Sequence, residues 1–545
     1  MAKGRNTAEF SFASEADLRA ALAIVAGEGR VVGHRSESFQ CRLYDTFDWR
    51  LWRRGWRLEG ARDNGVDALA VRRQDGRVVE EARLASMPAF SWDFGADVLP
   101  RVAKLVEPRR LMGLADVWLD SEHLFICDAV HEPVLACSIS SGRAIGADGP
   151  VRDVGWYLGL RRLKGHNKPF RQAVLAVASI PAATEAGDFH EAALRAAGMN
   201  PGGYGAKIRY AIHPGMRADS ALKTICSQLL DHIVANEAGM RAQVDVEFLH
   251  DFRVAVRRTR SALSALKTVF PSEVVARFRD EFRWLQQVTG DARDLDVWLL
   301  ELRNYKRDVP PFSAAALDRL ASFLAARRDQ AYERIVDALD SDRYATLIAD
   351  WQAFLDSPCP AVAEHPDAAE TIAAVAGARI WKAWRGLVRD GRAIDPDGPV
   401  EPLHELRIRG KKLRYLMAFF ATLFETERVQ ALQPPLKALQ DVLGTLNDLF
   451  VQQNSLRVFA IQMEEAGQGN VDTLLAMGRL SQVLTIREEQ TRTRFVDAFA
   501  DVSDKRAVKS YKQLFKPAPK QATCALAGEL VQPDLVPALA PAPAE

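Results

Sequence analysis

The sequence predicts an α+β protein: an N-terminal antiparallel β-barrel or tunnel-like domain, then an all-α, internally duplicated helical-bundle domain. Three observations predict it. Residues 1–180 alternate short apolar–polar segments with turn signals. Residues 218–515 carry apolar side chains at three-and-four spacing almost throughout, and a basic pattern early in that region returns in its second part.

The totals narrow the function classes. At 545 residues the chain should hold two or three domains with sizeable cores. Its formal net charge of +1 argues against a globally basic nucleic-acid coat, so any anion site must be local. Cys41, Cys127, Cys137, Cys226, Cys359 and Cys524 form no CxxC pair or Cys/His cluster, so neither a disulfide frame nor a zinc site is expected. With no apolar signal core and no run of about 18 apolar residues, the expectation is a cytoplasmic protein without a membrane partner.

Taken in order, the chain first predicts a helix over Glu15–Ala26, with Ser14 as N-cap. Short strands follow over 38–44, 49–58, 68–73, 78–84, 124–128 and 135–140. Turns at Arg54-Gly55, Asp63-Asn64-Gly65 and Gln74-Asp75-Gly76 separate several of them. Residues 181–217 have the Pro/Gly composition of a linker, and Gly203-Tyr204-Gly205-Ala206-Lys207 lacks the spacing of a phosphate-binding loop. Helices should fill 218–515 in two repeats, about 218–365 and 366–515, each a bundle of four to six helices. The Ala/Pro-rich tail, 516–545, has little to bury and should be disordered.

The repeated pattern is the candidate site. His250, Arg253, Arg257, Arg258 and Arg260 recur as His404, Arg407, Lys411, Lys412 and Arg414, and 404 minus 250 gives an offset of 154 residues. At about 100° per residue all but Arg258 and Lys412 share an arc of roughly 80°, a basic stripe about 15 Å long on each helix. Arg258 and Lys412 fall at its edge. Phe252, Ala255, Thr259, Leu263 and Leu266 in the first copy, and Leu406, Leu413, Met417 and Phe420 in the second, lie on the opposite side and should face the core. The same offset pairs Arg293-Asp294-Leu295 with Asn447-Asp448-Leu449, and Asp294 and Asp448 are expected to orient the arginines or cap helices. Two stripes across one shared groove would suit a long polyanion. Each histidine could be a structural residue or a phosphate donor that gains charge below about pH 6.5. Metal ligation is disfavoured because no His or carboxylate stands at i+3 or i+4 of either one.

Two resemblances extend this reading. Tyr44-Asp45-Thr46-Phe47-Asp48-Trp49-Arg50-Leu51, followed by Arg53-Arg54-Gly55, resembles the Tyr-Asp-Thr-Pro-Asp-x-x-Leu segment of the CYTH family, the triphosphate tunnel metalloenzymes. That resemblance implies an eight-stranded tunnel acting on triphosphates with a divalent metal. The acidic alternation such a tunnel needs is reduced to Glu9, with Ser11 and Ala13 at the next two inward positions, and 154–160 carries no carboxylate. A degenerate tunnel without catalytic residues, metal or other cofactor is therefore expected. The segments around both stripes, with Arg293-Asp294-Leu295-Asp296-Val297, resemble the CHAD family, the conserved histidine α-helical domains, over about 300 residues. That resemblance implies binding of inorganic polyphosphate and association with polyphosphate granules. The residues agree with it, because a ligand offering only phosphate charge is best met by a row of guanidinium and ammonium groups. The alternatives are a metal-dependent triphosphatase or polyphosphate hydrolase in the tunnel, and single-stranded nucleic-acid binding. The second normally interleaves aromatics with cations, and Tyr415 near one stripe corresponds to Ser261 in the other. Sequence-specific nucleic acid is not expected as a partner.

Overall fold

The computed structural model describes residues 6–27, 29–63, 66–73, 77–95, 98–146, 149–186, 188–360, 365–395 and 398–517. The turn positions read at 64–65 and 74–76, Gly187, Cys524 and all but the first two residues of the 516–545 tail lie outside the described residues.

The N-terminal region comprises β1 (Thr7–Phe12), α1 (Glu15–Ala26), β2 (Arg30–Asp45), α2 (Arg50–Arg53), β3 (Trp56–Asp63), β4 (Val66–Arg73), β5 (Val78–Leu84), α3 (Pro100–Val106), β6 (Met112–Cys127), β7 (Pro133–Gly146), β8 (Arg152–Arg162), α4 (Asn167–Ala178), β9 (Thr184–Ala186) and α5 (Phe189–Ala196). Among the described residues these strands form one antiparallel sheet in the order β5-β4-β3-β2-β6-β7-β8-β1-β9. The expected barrel or tunnel is not closed. β9 is three residues long and pairs with β1, β5 pairs with β4, and among the described residues no ladder joins these two edges.

Two local expectations change. The strand read over 49–58 begins instead as α2, because the buried Asp45 carboxylate accepts from the backbone N–H groups of Thr46 (2.7 Å), Leu51 (3.0 Å) and Trp52 (2.8 Å) and folds the chain into a turn. The stretch read as linker holds β9 and α5, which belong to the sheet domain. Phe189, Ala193 and Leu194 of α5 are buried in one core with Val117, Leu119 and Ala144. On the other side of β7 and β8, α1 and α4 cover a second core through Leu18, Leu22, Phe170 and Val177. The Ser14 hydroxyl accepts from Asp17 N–H at the start of α1, as its sequence predicts.

The helical region runs through α6 (Ala218–Arg241), α7 (Val246–Ala265), α8 (Ser272–Val288), α9 (Gly290–Tyr305), α10 (Pro311–Leu339), α11 (Asp342–Asp356), α12 (Ile372–Gly391), α13 (Glu401–Phe420), α14 (Thr426–Glu465), α15 (Val471–Arg492), α16 (Phe495–Ser503) and α17 (Lys505–Phe515). The whole chain divides into two compact units, and the division is not at the repeat boundary. Met1–Ile212, Asp219–Ala369 and Asp448–Glu488 make the first unit; His213–Ala218, Glu370–Asn447 and Glu489–Glu545 make the second. The C-terminal part of α14 joins the first unit because it covers the apolar side of α9. Trp298 meets Phe459 with ring centroids 5.6 Å apart, and Tyr305 donates to Gln452 Oε1 at 2.6 Å. Within the second unit α12 packs on α13 and α17, with Trp384 stacked on Tyr511 at 4.8 Å. Among the described residues no helix is long and apolar enough to cross a membrane.

Candidate functional site

The first stripe is carried by α7, which Asp245 starts by accepting from Glu247 N–H. Phe252, Ala255, Thr259, Leu263 and Leu266 are all buried, so the apolar face has the predicted phase. This leaves His250, Arg253, Arg257 and Arg260 half-buried on the other side. Arg253 donates through Nη1 to the Gln286 carbonyl and to Thr289 Oγ1, both at 2.7 Å, which ties it to the end of α8. Burial, and then the charges of Arg283 and Arg279, depress the pKa of Arg260. These two α8 arginines extend the cationic surface; at the same offset Arg283 pairs with Lys437, a repeated cation outside the histidine pattern, while Arg279 pairs with Gln433. Arg258 is not with the stripe: its charge lies close to Tyr210 and His232. On α7 the position about 80° from the arc thus faces a neighbouring element, whereas its counterpart Lys412 is exposed.

The second stripe lies on α13, in the second unit. Leu406, Leu413, Met417 and Phe420 are buried, again as the period predicts. Arg407 and Lys411 are half-buried, while His404, Lys412 and Arg414 are exposed. His404 Nδ1 is 2.5 Å from Asn447 Oδ1, so the in-register partner of Arg293 meets this histidine. Tyr415 is buried and leaves no face for base stacking. Asp294 and Asp448, by contrast, both fall in the first unit. Burial raises the pKa of Asp294, Arg253 and Arg293 pull it down, and Asp291 and Asp448 push it up.

His250 has surroundings the sequence reading did not reach. Its pKa is pushed down to about 3, first by burial and then by Arg293, Arg257, Arg109 and Arg253. It is therefore a neutral imidazole at physiological pH. Glu247, His250 and Asp251 bring ligand atoms within 4.8 Å of one another, a grouping missed because Glu247 precedes the histidine by three residues. Both acids are committed to cations: Glu247 is 4.0 Å from Arg293, and Asp251 accepts from Arg109 Nη2 at 2.6 Å. A divalent ion there would also face the arginines that keep His250 neutral. The depressed pKa predicts a pH effect with a definite sign. Unfolding restores His250 to about 6.5, so below that pH the unfolded chain binds the extra proton and stability falls. Between pH 7 and 5 wild type should lose up to roughly 2 kcal/mol relative to His250→Asn, and little difference should develop above pH 7.5. Urea unfolding of both proteins across this range checks it.

The sheet domain holds a second polar feature, a cavity of about 1090 Å³ whose walls include Glu9, Glu37, Glu59, Glu81, Arg57, Arg72, Arg83 and Arg161. The two-residue period of the strands brings Arg57 and Glu59, and likewise Glu81 and Arg83, to one face. That alternation was the available signal, lost because it mixes signs. The charges are largely paired. Glu59 accepts from Arg57 at 2.7 Å and Arg72 at 3.1 Å, and Asp188 accepts from Arg57 at 2.6 Å. Burial, with Asp188 nearby, raises the Glu9 carboxyl to about 7. Despite its own burial, Asp188 is held low by His190 and Arg57.

Comparison with known proteins assigns part of this chain. Residues 224–457 match the model of the CHAD domain, a span that contains both stripes and both register-paired acids. The match leaves the N-terminal sheet domain unassigned. Two uncharacterized proteins of Mycobacterium tuberculosis, from strains CDC 1551 and H37Rv, are each 28% identical over 287 residues, covering 50% of this chain and 53% of theirs. The chain thus spans about half the length of the curated relatives it matches. Among solved structures, the CHAD domain from the plant Ricinus communis shows 25% identity and a TM-score of 0.46 over 54% of this chain and 95% of that one. PptA from Streptomyces chartreusis shows 17% identity and a TM-score of 0.41, over 52% and 99%.

Proposed function

We propose, for a chain whose residues 224–457 form a CHAD domain, that it binds inorganic polyphosphate through its two basic stripes and that its N-terminal domain is not catalytic. The observation that carries this reading is the cluster of like charges on and beside α7. Arg253 is depressed to about 10 by burial and by Arg257 and Arg293, against the pull of Asp294, and Arg260 is lowered by Arg279 and Arg283 on top of burial. Cations packed this closely repel one another, and an anionic chain laid along them removes that cost while taking bidentate bonds from the guanidinium forks. Association with polyphosphate granules in the cytoplasm follows from the same reading.

The non-catalytic reading of the sheet domain rests on pairing. Glu59 and Asp188 already hold arginines, so neither is poised as a bare oxygen ligand for Mg²⁺. One set of measurements tests both parts. Binding of fluorescently labelled long-chain polyphosphate should persist in EDTA and fall steeply with salt, by roughly 0.7 log unit per log unit of salt for each neutralised phosphate if the polymer behaves as a single strand. The same preparation given tripolyphosphate with Mg²⁺ or Mn²⁺ should release no phosphate, and RNA at matched charge should not displace the polymer. Binding abolished by EDTA, or phosphate release that disappears in Glu9→Ala, would replace this reading with metal-dependent hydrolysis.

A further inference from the structure

Arg109 belongs to the sheet domain, in the segment after α3, yet its guanidinium is spent on α7. It is fully buried. Nη1 reaches Asp245 Oδ1 at 3.0 Å and Nη2 reaches Asp251 Oδ2 at 2.6 Å. The plane lies over the Phe248 ring, 4.9 Å from its centroid. The next residue joins in, since Arg110 N–H donates to Asp245 Oδ2 at 3.1 Å. Asp251 also accepts from Tyr204 at 3.0 Å, and Tyr204 in turn accepts from Asn236 at 2.7 Å. Phe47 fills the gap between Tyr204 and Phe248, with centroids 4.5 Å from each.

We infer that Arg109 is a positioning residue for the first stripe. Asp245 caps α7 and Asp251 follows His250, so the two acids stand six residues apart, roughly 9 Å along the helix. One rigid fork holding both fixes the helix along its axis and about it. Arg253, Arg257 and Arg260 project from the same rigid element, so their aim follows from that grip. The residues of this grip are only partly repeated in the second copy: Asp251 has Glu405 as its register partner, but Asp245 and Phe248 have Pro399 and Pro402, and α13 starts without a side-chain cap. The sheet domain therefore serves the first stripe. Phe47, standing where the CYTH-like segment has proline, becomes part of the docking surface.

This inference rests on the polyphosphate reading, and its test separates the two. Affinity of the full chain for labelled long-chain polyphosphate is measured, well below the melting temperature, for wild type, Arg109→Lys, Arg257→Ala, Lys411→Ala and the two doubles that contain Arg109→Lys. Lysine keeps the charge but cannot span both acids. The expected result is a loss of roughly fivefold for Arg109→Lys alone. That loss should largely vanish in the Arg257→Ala background, where one of the aimed groups is gone, and persist in full beside Lys411→Ala. Equal losses in both backgrounds, or no loss in a folded Arg109→Lys protein, overturn the inference while leaving polyphosphate binding in place. A wild type that fails to bind removes the reading beneath it. Should Arg109→Lys not fold, Tyr204→Phe, which takes one bond from Asp251, goes through the same cycle and is judged by the same outcomes.

Discussion

Replacing Arg257 and Lys411 together by alanine is expected to weaken polyphosphate binding about 100-fold and to leave the melting temperature nearly unchanged. Each change removes one charge-assisted contact, about 1.5 kcal/mol or more apiece, and two such losses reach two decades in affinity. The salt dependence should flatten by roughly 0.7 unit for each cation lost. Stability is spared for a physical reason: Arg257 is one of the charges that depress Arg253, so its removal relieves repulsion in the free protein. The matched control is Arg319→Ala with Arg327→Ala on α10, outside the repeated pattern. Binding measured by fluorescence anisotropy decides between local and diffuse charge. An equal loss in the control pair would mean that the stripes have no special role.

The phase of both stripes was legible because a helix that buries one side must repeat every three to four residues, and Phe252 or Leu413 could sit nowhere but inward. The start of α1 was legible from one hydroxyl, Ser14. The lengths of β2, β6 and β7 were not. Ser36-Glu37-Ser38, Asp120-Ser121-Glu122-His123 and Ser138 to Ser141 interrupt the apolar alternation, and several of these residues are polar because they line the cavity. Nor could the sequence bring Arg109 to Asp245 across 136 positions. Arg279 and Arg283 stayed hidden for a different reason. Arg279 has Gln433 as its counterpart and repeats nothing, and the Arg283/Lys437 pair stands outside the histidine pattern, so neither was counted with the stripes.

Asp296 provides the second large effect, this time on stability. It stands two residues beyond Asp294 in the family-like segment, and on a helix that separation turns the side chain by about 200°, away from the stripe. Asp296 is 1% exposed, accepts from Arg328 Nε at 2.8 Å and accepts from the Tyr332 hydroxyl at 2.8 Å. Burial raises its pKa, and Tyr332 and Arg328 pull it back down. Asp296→Ala leaves Arg328 Nε and the Tyr332 hydroxyl facing a void, while the guanidinium keeps Gln243 at 3.1 Å and Asp329 at 3.4 Å, a loss of about 3 kcal/mol. For a folding unit this large each kcal/mol moves the melting temperature by roughly 2–4 °C or less, so a drop on the order of 10 °C should be seen by calorimetry. Asp296→Asn keeps an acceptor for one partner and should recover part of it. At temperatures where the variant is still folded, polyphosphate affinity should match wild type, since the residue has its back to the basic surface. A variant that loses affinity while its melting temperature stays put would show that this acid acts on the stripe after all, and that the helical phase separating it from Asp294 does not isolate the two roles.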